Sequence, residues 1–192
     1  MKTFKLPFLW AVASFALVNA ARAQDSNTDN HTISISIPEV ALVDIEPAAA
    51  KNIVMGFTAP IEAGLPLVAP TNNSTLWLNY SSIKSTADAT RIVSVRLDAL
   101  IPGVDINLTA AAAAGAGGGE LGVPNGSSLT LTAADQTIIS GIGSAFTGDG
   151  VSNGHNLTYA LALGNGTSVA AYEDLEATTT AIATVTYTIS DN

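Results

Sequence analysis

Thr32-Ile33-Ser34-Ile35-Ser36-Ile37 alternates strictly between small polar and β-branched apolar residues. Successive side chains of an extended chain point to opposite faces. This two-residue period therefore places the three isoleucines on one face of a strand. Pro38 interrupts the run, because proline has no N–H to give to a ladder. Val40 to Ile45 resumes the extended pattern until Pro47 and the alanines after it. The same period returns at Leu76, Leu78 and Tyr80, at Val93, Val95 and Leu97, and at Val104, Ile106 and Leu108. It returns again at Leu157, Tyr159, Leu161 and Leu163, and finally at Ala183, Val185, Tyr187 and Ile189. The helical spacing of i, i+3, i+4 never persists over a useful length. About seven to nine short strands at roughly even spacing predict an all-β fold, an antiparallel β-sandwich.

The stretches between these runs complete that reading. Ile53 to Phe57 is a further strand candidate. Ala59 to Asn73 carries three prolines and a glycine and reads as a long loop. In the strand Arg91 to Leu97, the residues Arg91, Ser94 and Arg96 do not fit the face of Val93, Val95 and Leu97. Ala110 to Gly122 is low-complexity alanine and glycine, where glycine breaks what alanine would start, and it reads as a flexible loop. Leu129 and Leu131 follow an Asn125-Gly126 turn. Gly141 and Gly143 lie inside the apolar stretch Ile138 to Phe146 and predict a bulge or a close backbone approach.

Upstream of the isoleucines, the chain reads as a targeting segment. Lys2 and Lys5 supply a positive start, Leu6 to Val18 is almost wholly apolar, and Ala21-Arg22-Ala23 places small residues where a signal peptidase requires them. Cleavage before Gln24 is expected, leaving a mobile polar leader over residues 24–30 and a single domain over 31–192. The apolar run is short for a bilayer span, which takes about 20 residues. No later stretch is long and apolar enough to cross as a helix, so the mature product is expected in the periplasm, at the cell surface or outside the cell.

After cleavage, sixteen acidic residues face four basic ones (Lys51, Lys84, Arg91 and Arg96), a net charge of −12. Such a surface repels nucleic acid and anionic lipid, having little with which to replace phosphate counterions. Cysteine is absent. The fold is therefore held by packing and backbone pairing, and thiol catalysis and thiolate metal sites are excluded.

The residues that could do chemistry are sparse and scattered. The chain holds two histidines, His31 at the start of the first run and His155 on a turn before a strand. No Gly-X-Ser-X-Gly elbow accompanies them. Glu173, Asp174 and Glu176 form an acidic stretch that reads as a solvated loop. Trp77, the one tryptophan of the mature chain, reads as a strand residue. Asp149, Asn153 and Gly154 fall at the first, fifth and sixth places of a calcium-loop pattern. Val151 and Ala160 occupy the third and twelfth, where oxygen ligands belong. No catalytic residue, no metal ligand and no cofactor is assigned from the sequence, and an enzymatic role is not expected.

The isoleucine run has mechanical content of its own. An alternating apolar strand at a chain end is an aggregation hazard unless it is used. It can pair as the first strand of its own sandwich. It can instead be donated to a neighbouring subunit, with Ile33, Ile35 and Ile37 filling pockets there. The order Thr32 to Ile37, Pro38-Glu39, then Val40-Ala-Leu-Val-Asp-Ile45 resembles the N-terminus of the alternate chaperone–usher (class 5) pilins. The closing Thr184-Val-Thr-Tyr-Thr-Ile189 is similar to the last strand of those pilins and of spore-coat-U-like secreted domains. The resemblance implies an immunoglobulin-like pilin fold and head-to-tail polymerisation, with self-association or other surface proteins as partners. The competing expectation is a self-contained exported module that binds carbohydrate or protein through its long loops.

Overall fold

The computed structural model describes residues 27–179 and 181–192. The signal segment expected over 1–23 lies outside the described residues. The chain divides into two compact units, Met1–Ser36 and Ile37–Asn192. In the first unit, residues 27–36 are exposed and none belongs to a strand. The second unit is an antiparallel all-β structure of nine strands. These are β1 (Val40–Glu46), β2 (Asn73–Ile83), β3 (Arg91–Leu97), β4 (Val104–Ala110), β5 (Gly118–Pro124), β6 (Leu129–Thr130), β7 (Gln136–Phe146), β8 (His155–Leu163) and β9 (Val185–Asp191). Two short 3-10 turns, Ala48–Ala50 and Tyr172–Asp174, accompany them. Among the described residues no helix is long and apolar enough to cross a membrane.

Hydrogen-bonded neighbours run in the order β6-β4-β8-β2-β7-β3-β9, with β1 also on β2 and β5 also on β7. β2 joins the two halves of this path. Its residues Leu76 to Leu78 pair with β8, while Ser81 and Ser82 pair with the end of β7. β1 runs along the opposite edge of β2, from Val40 facing Ile83 to Glu46 facing Trp77. The result is sandwich-like, with β6, β4, β8, β2 and β1 on one side and β5, β7, β3 and β9 on the other.

The two-residue period places the core where the sequence expects it. Leu76, Leu78 and Tyr80 of β2 are buried with Val93, Val95 and Leu97 of β3, Ile106 and Leu108 of β4, and Leu157 and Tyr159 of β8. Burial of each such aliphatic side chain contributes about 1.5–3 kcal/mol before entropy is counted. The expected bulge is in β7. Arg91 and Val93, two apart on β3, face Ile142 and Ile139, three apart on β7. Gly141 takes up the extra residue at φ 70°, so that Ile139 and Ile142 both reach the core.

Four expectations are corrected. Residues 32–37 are not the first strand of this sheet, which begins at Val40. Ile53 to Phe57 forms no strand; Ile53 and Met55 are half-buried against the core, and a single antiparallel bridge joins Thr58 to Val68. The alanine-glycine stretch is not a loop throughout, since Gly118–Pro124 is β5 and pairs with β7. Glycine permits this pairing. Gly119 holds φ 84°, and a Cβ there would strike the Ser144 carbonyl oxygen and lie 2.8 Å from Ala145 Cα. Lastly, Arg91 shares the buried face of β3, for the reason given below.

Candidate functional site

Ile33, Ile35 and Ile37 are 71%, 78% and 75% exposed, and no strand includes them. β-Branched apolar side chains in that state are unusual in a run of alternating period, because nothing hides them from water. They are not three scattered exceptions on a surface but one face of one segment, extended by sequence pattern and without a ladder.

Two strands of the second unit offer the complementary feature. β1 pairs with β2 alone and β9 with β3 alone, so each has one free edge among the named strands. The inward residues of both strands rest on the core without being closed off. Val43 and Ile45 on β1, and Val185, Tyr187 and Ile189 on β9, are partly buried, and neither strand contributes a fully buried hydrophobic residue. Tyr187 reaches across to Tyr159 of β8, with the two hydroxyls 2.6 Å apart. Burial pushes both phenols up from their ordinary range, so both stay neutral and can share that bond.

Arg91 fastens the two edge strands together at one end. Its side chain is 2% exposed. Nε donates to Asp191 at the end of β9 at 2.7 Å, and the terminal nitrogens donate to Glu39, to the carbonyl of Val40 at the start of β1, and to the carbonyl of Ile83 at the end of β2. Glu39, Asp88 and Asp191 bring carboxylate oxygens within 4.8 Å of one another. The guanidinium lies among them and supplies their countercharge, and the Asp191 hydrogen bond raises its already high pKa. A charged group at a buried face is tolerated because it has acceptors on three sides. This is why Arg91 keeps the register of Val93 and Val95 although its chemistry argues against that face.

The two histidines are in unlike places. His31 is exposed and outside any strand. His155 is the first residue of β8 and fully buried, not a turn residue. Its Nδ1 is 2.8 Å from the Ala111 carbonyl and must donate there, since a carbonyl only accepts. Its Nε2, left as an acceptor, is 3.0 Å from the Tyr80 hydroxyl; that hydroxyl also lies against the Leu121 carbonyl and has one proton to share between the two acceptors, and the Tyr80 and His155 rings stack. Burial pushes the imidazole pKa below its ordinary value of 6.5. The group thus ties β2, β8, β5 and the alanine stretch together as a neutral hydrogen-bonding hub. Glu173 and Asp174 lie exposed on the second 3-10 turn, and Trp77 is half-buried on β2.

The sequence points to Ile33, Ile35 and Ile37 but gives no sign of which edges stay open. That depends on strand order, which a period of two does not encode. Comparison with known proteins adds no relative: no family model, no curated protein and no solved structure matches the chain.

Proposed function

We propose that this chain is an exported structural or adhesive subunit of a surface fibre that assembles by β-strand addition. The segment Thr32–Ile37 of one copy runs along the free edge of β1 or β9 of the next. Its backbone supplies ladder hydrogen bonds, and Ile33, Ile35 and Ile37 cover the half-buried row of Val43, Ile45, Val185, Tyr187 and Ile189. Donor and acceptor lie on different parts of the chain, so the contact is heterologous and grows as an open polymer. The observation that carries this reading is the coexistence of three exposed isoleucines outside the sheet with two edge strands that leave the core half covered. The role needs no catalytic residue.

The test compares the mature chain with a form lacking residues 24–37, by sizing and thermal melting. Full-length protein is expected to form ladders of oligomers. The shortened form is expected to remain a monomer that melts cooperatively at the same temperature as the unassembled parent. A full-length chain that stays monomeric at high concentration would sink the fibre reading.

One observation favours a second reading, that of a self-contained binding module. The loop between β1 and β2 exposes Val54, Ile61, Leu65 and Val68, with Val54 at 96% and Ile61 at 94%. Those side chains would then meet the ligand, and deleting residues 24–37 would leave binding unchanged.

A further inference from the structure

A cleft of about 320 Å³ opens on the outer face of β1 and β2, beside the glycine-rich turn that follows β7. The register sets Asp44 of β1 directly opposite Asn79 of β2. Opposed residues of an antiparallel pair project to the same face, so both side chains belong to this cleft. Asp149, from the turn Gly148-Asp149-Gly150, lines it as well, with Ser81 and Gly148. No lysine, arginine or histidine is among the lining residues.

The informative residue is Asn79. It is 5% exposed. Its amide nitrogen donates to the Asn153 carbonyl at 2.7 Å, which fixes the side chain beneath the turn. Its Oδ1 is buried and has no hydrogen-bond partner, alone in this among the buried side-chain oxygens and nitrogens of the described residues. A buried acceptor left unpaired costs about 1–3 kcal/mol. Asn79 lines a cleft that Asp44 and Asp149 also line and that holds no basic side chain, so its unpaired oxygen lacks a positively charged partner.

We propose that Asp44, Asn79 and Asp149 bind a calcium ion. All three donor groups are hard oxygens, and neither sulfur nor imidazole is present, which selects a hard divalent cation over the first-row transition metals. The ligands come from two strands and a turn, so the site is loose. Calcium accepts such irregular sets of six to eight oxygens, whereas magnesium demands a near-ideal octahedron. Ser81 and Gly148 line the same cleft, and water would complete the shell. The turn is already organised for the task. Asn153 donates to the Asp149 carbonyl at 2.7 Å and accepts from Ala116 N at 2.9 Å. Gly154, at φ 72°, lets the chain pass so close to β2 that a Cβ would strike the Leu78 carbonyl oxygen. The bound ion fastens edge strand β1 and the turn over the middle of β2. This site does not depend on the fibre reading and is tested without assembly.

The experiment follows thermal melting of the mature chain in EDTA, in calcium chloride and in magnesium chloride at equal ionic strength, with calcium binding measured by titration calorimetry. Affinity in the range of extracellular calcium modules, about 10⁻⁴–10⁻³ M, is expected. At ten times the dissociation constant the midpoint should then rise by about 3–6 °C. Magnesium should give less than half of that rise. Asp149→Asn and Asp44→Asn change exposed side chains and should melt in EDTA as the parent does, while losing the calcium shift. The proposal is overturned by any of three results: no calcium shift in the parent, an equal shift with magnesium, or a full calcium shift in the Asp44→Asn, Asp149→Asn double variant.

Discussion

His155 shows how a single buried group sets a pH dependence. Burial lowers its pKa in the folded chain below the ordinary 6.5, while in the unfolded chain it titrates near that ordinary value. Below about pH 6.5 the unfolded chain therefore takes up a proton that the folded chain refuses. Stability rises with pH wherever the unfolded state binds more protons. The contribution of this residue is thus fully present above pH 6.5 and is lost as pH falls towards and past the folded pKa. Urea unfolding midpoints measured from pH 7.5 down to pH 5 should fall for the parent. His155→Gln keeps an amide donor for the Ala111 carbonyl but cannot titrate. It should be less stable at pH 7.5, by about 1–2 kcal/mol for the lost stacking and packing, and its midpoint should fall less between pH 6.5 and 5. An equal slope in the two proteins would show that the acid sensitivity lies elsewhere.

At the scale of elements, the legible part of the fold is the part that water dictates. Leu76, Leu78, Val93, Val95, Leu108 and Leu157 are buried because a period of two, read against solvent, leaves them one side to face. Two elements escape that logic. β5 is built on Gly118 and Gly119, which carry no side chain to show a period, and it forms because the backbone at Gly119 can approach β7 where a Cβ would collide. Arg91 breaks the pattern of β3 because the acceptors that make it tolerable come from β1, β2 and β9, up to 100 positions away in the chain. The isoleucine run is the converse case: its period is unbroken from Thr32 to Ile37, yet the strand that period predicts is absent from its own sheet. The Arg91 clamp is testable at this scale. Arg91→Lys keeps the charge but replaces a planar fork with a single ammonium, which cannot serve Asp191, Glu39 and two carbonyls from one position. Glu39 and Asp191 are half exposed, with side-chain exposures of 52% and 55%, and can rehydrate. The expected loss is therefore about 1–3 kcal/mol from the unsatisfied carbonyls, not the larger cost of a stranded buried charge. Chemical denaturation of Arg91→Lys should show that loss, with hydrogen exchange fastest at the Val40 and Asp191 ends of the edge strands. Parent-like stability and exchange would mean that the clamp holds nothing.

For the whole molecule, charge and assembly oppose each other. The expected mature chain carries −12, and copies that add strand to edge bring like charges together. Repulsion between subunits is screened over about 10 Å at 0.1 M salt and reaches about 30 Å at 0.01 M. Strand addition depends on apolar side chains and backbone hydrogen bonds, neither of which salt weakens at these concentrations. Polymer growth from a common starting concentration, followed by light scattering, should therefore be slower in 10 mM than in 150 mM sodium chloride, by roughly tenfold for so acidic a pair. Sodium chloride is the right salt for this comparison, because calcium would act at Asp44 and Asp149 as well as by screening. Replacing Ile35 by Ser should abolish growth at both salt concentrations without moving the melting temperature, since Ile35 is 78% exposed in the unassembled chain. Growth that slowed with salt would mean that copies meet through complementary charges. The expected mature chain has four basic residues; Arg91 is paired with Glu39 and Asp191 and Arg96 lies 3.6 Å from Asp135, so such attraction would have to run through Lys51 or Lys84, or break one of those pairs. The strand-addition geometry would then be wrong even if the chain polymerised.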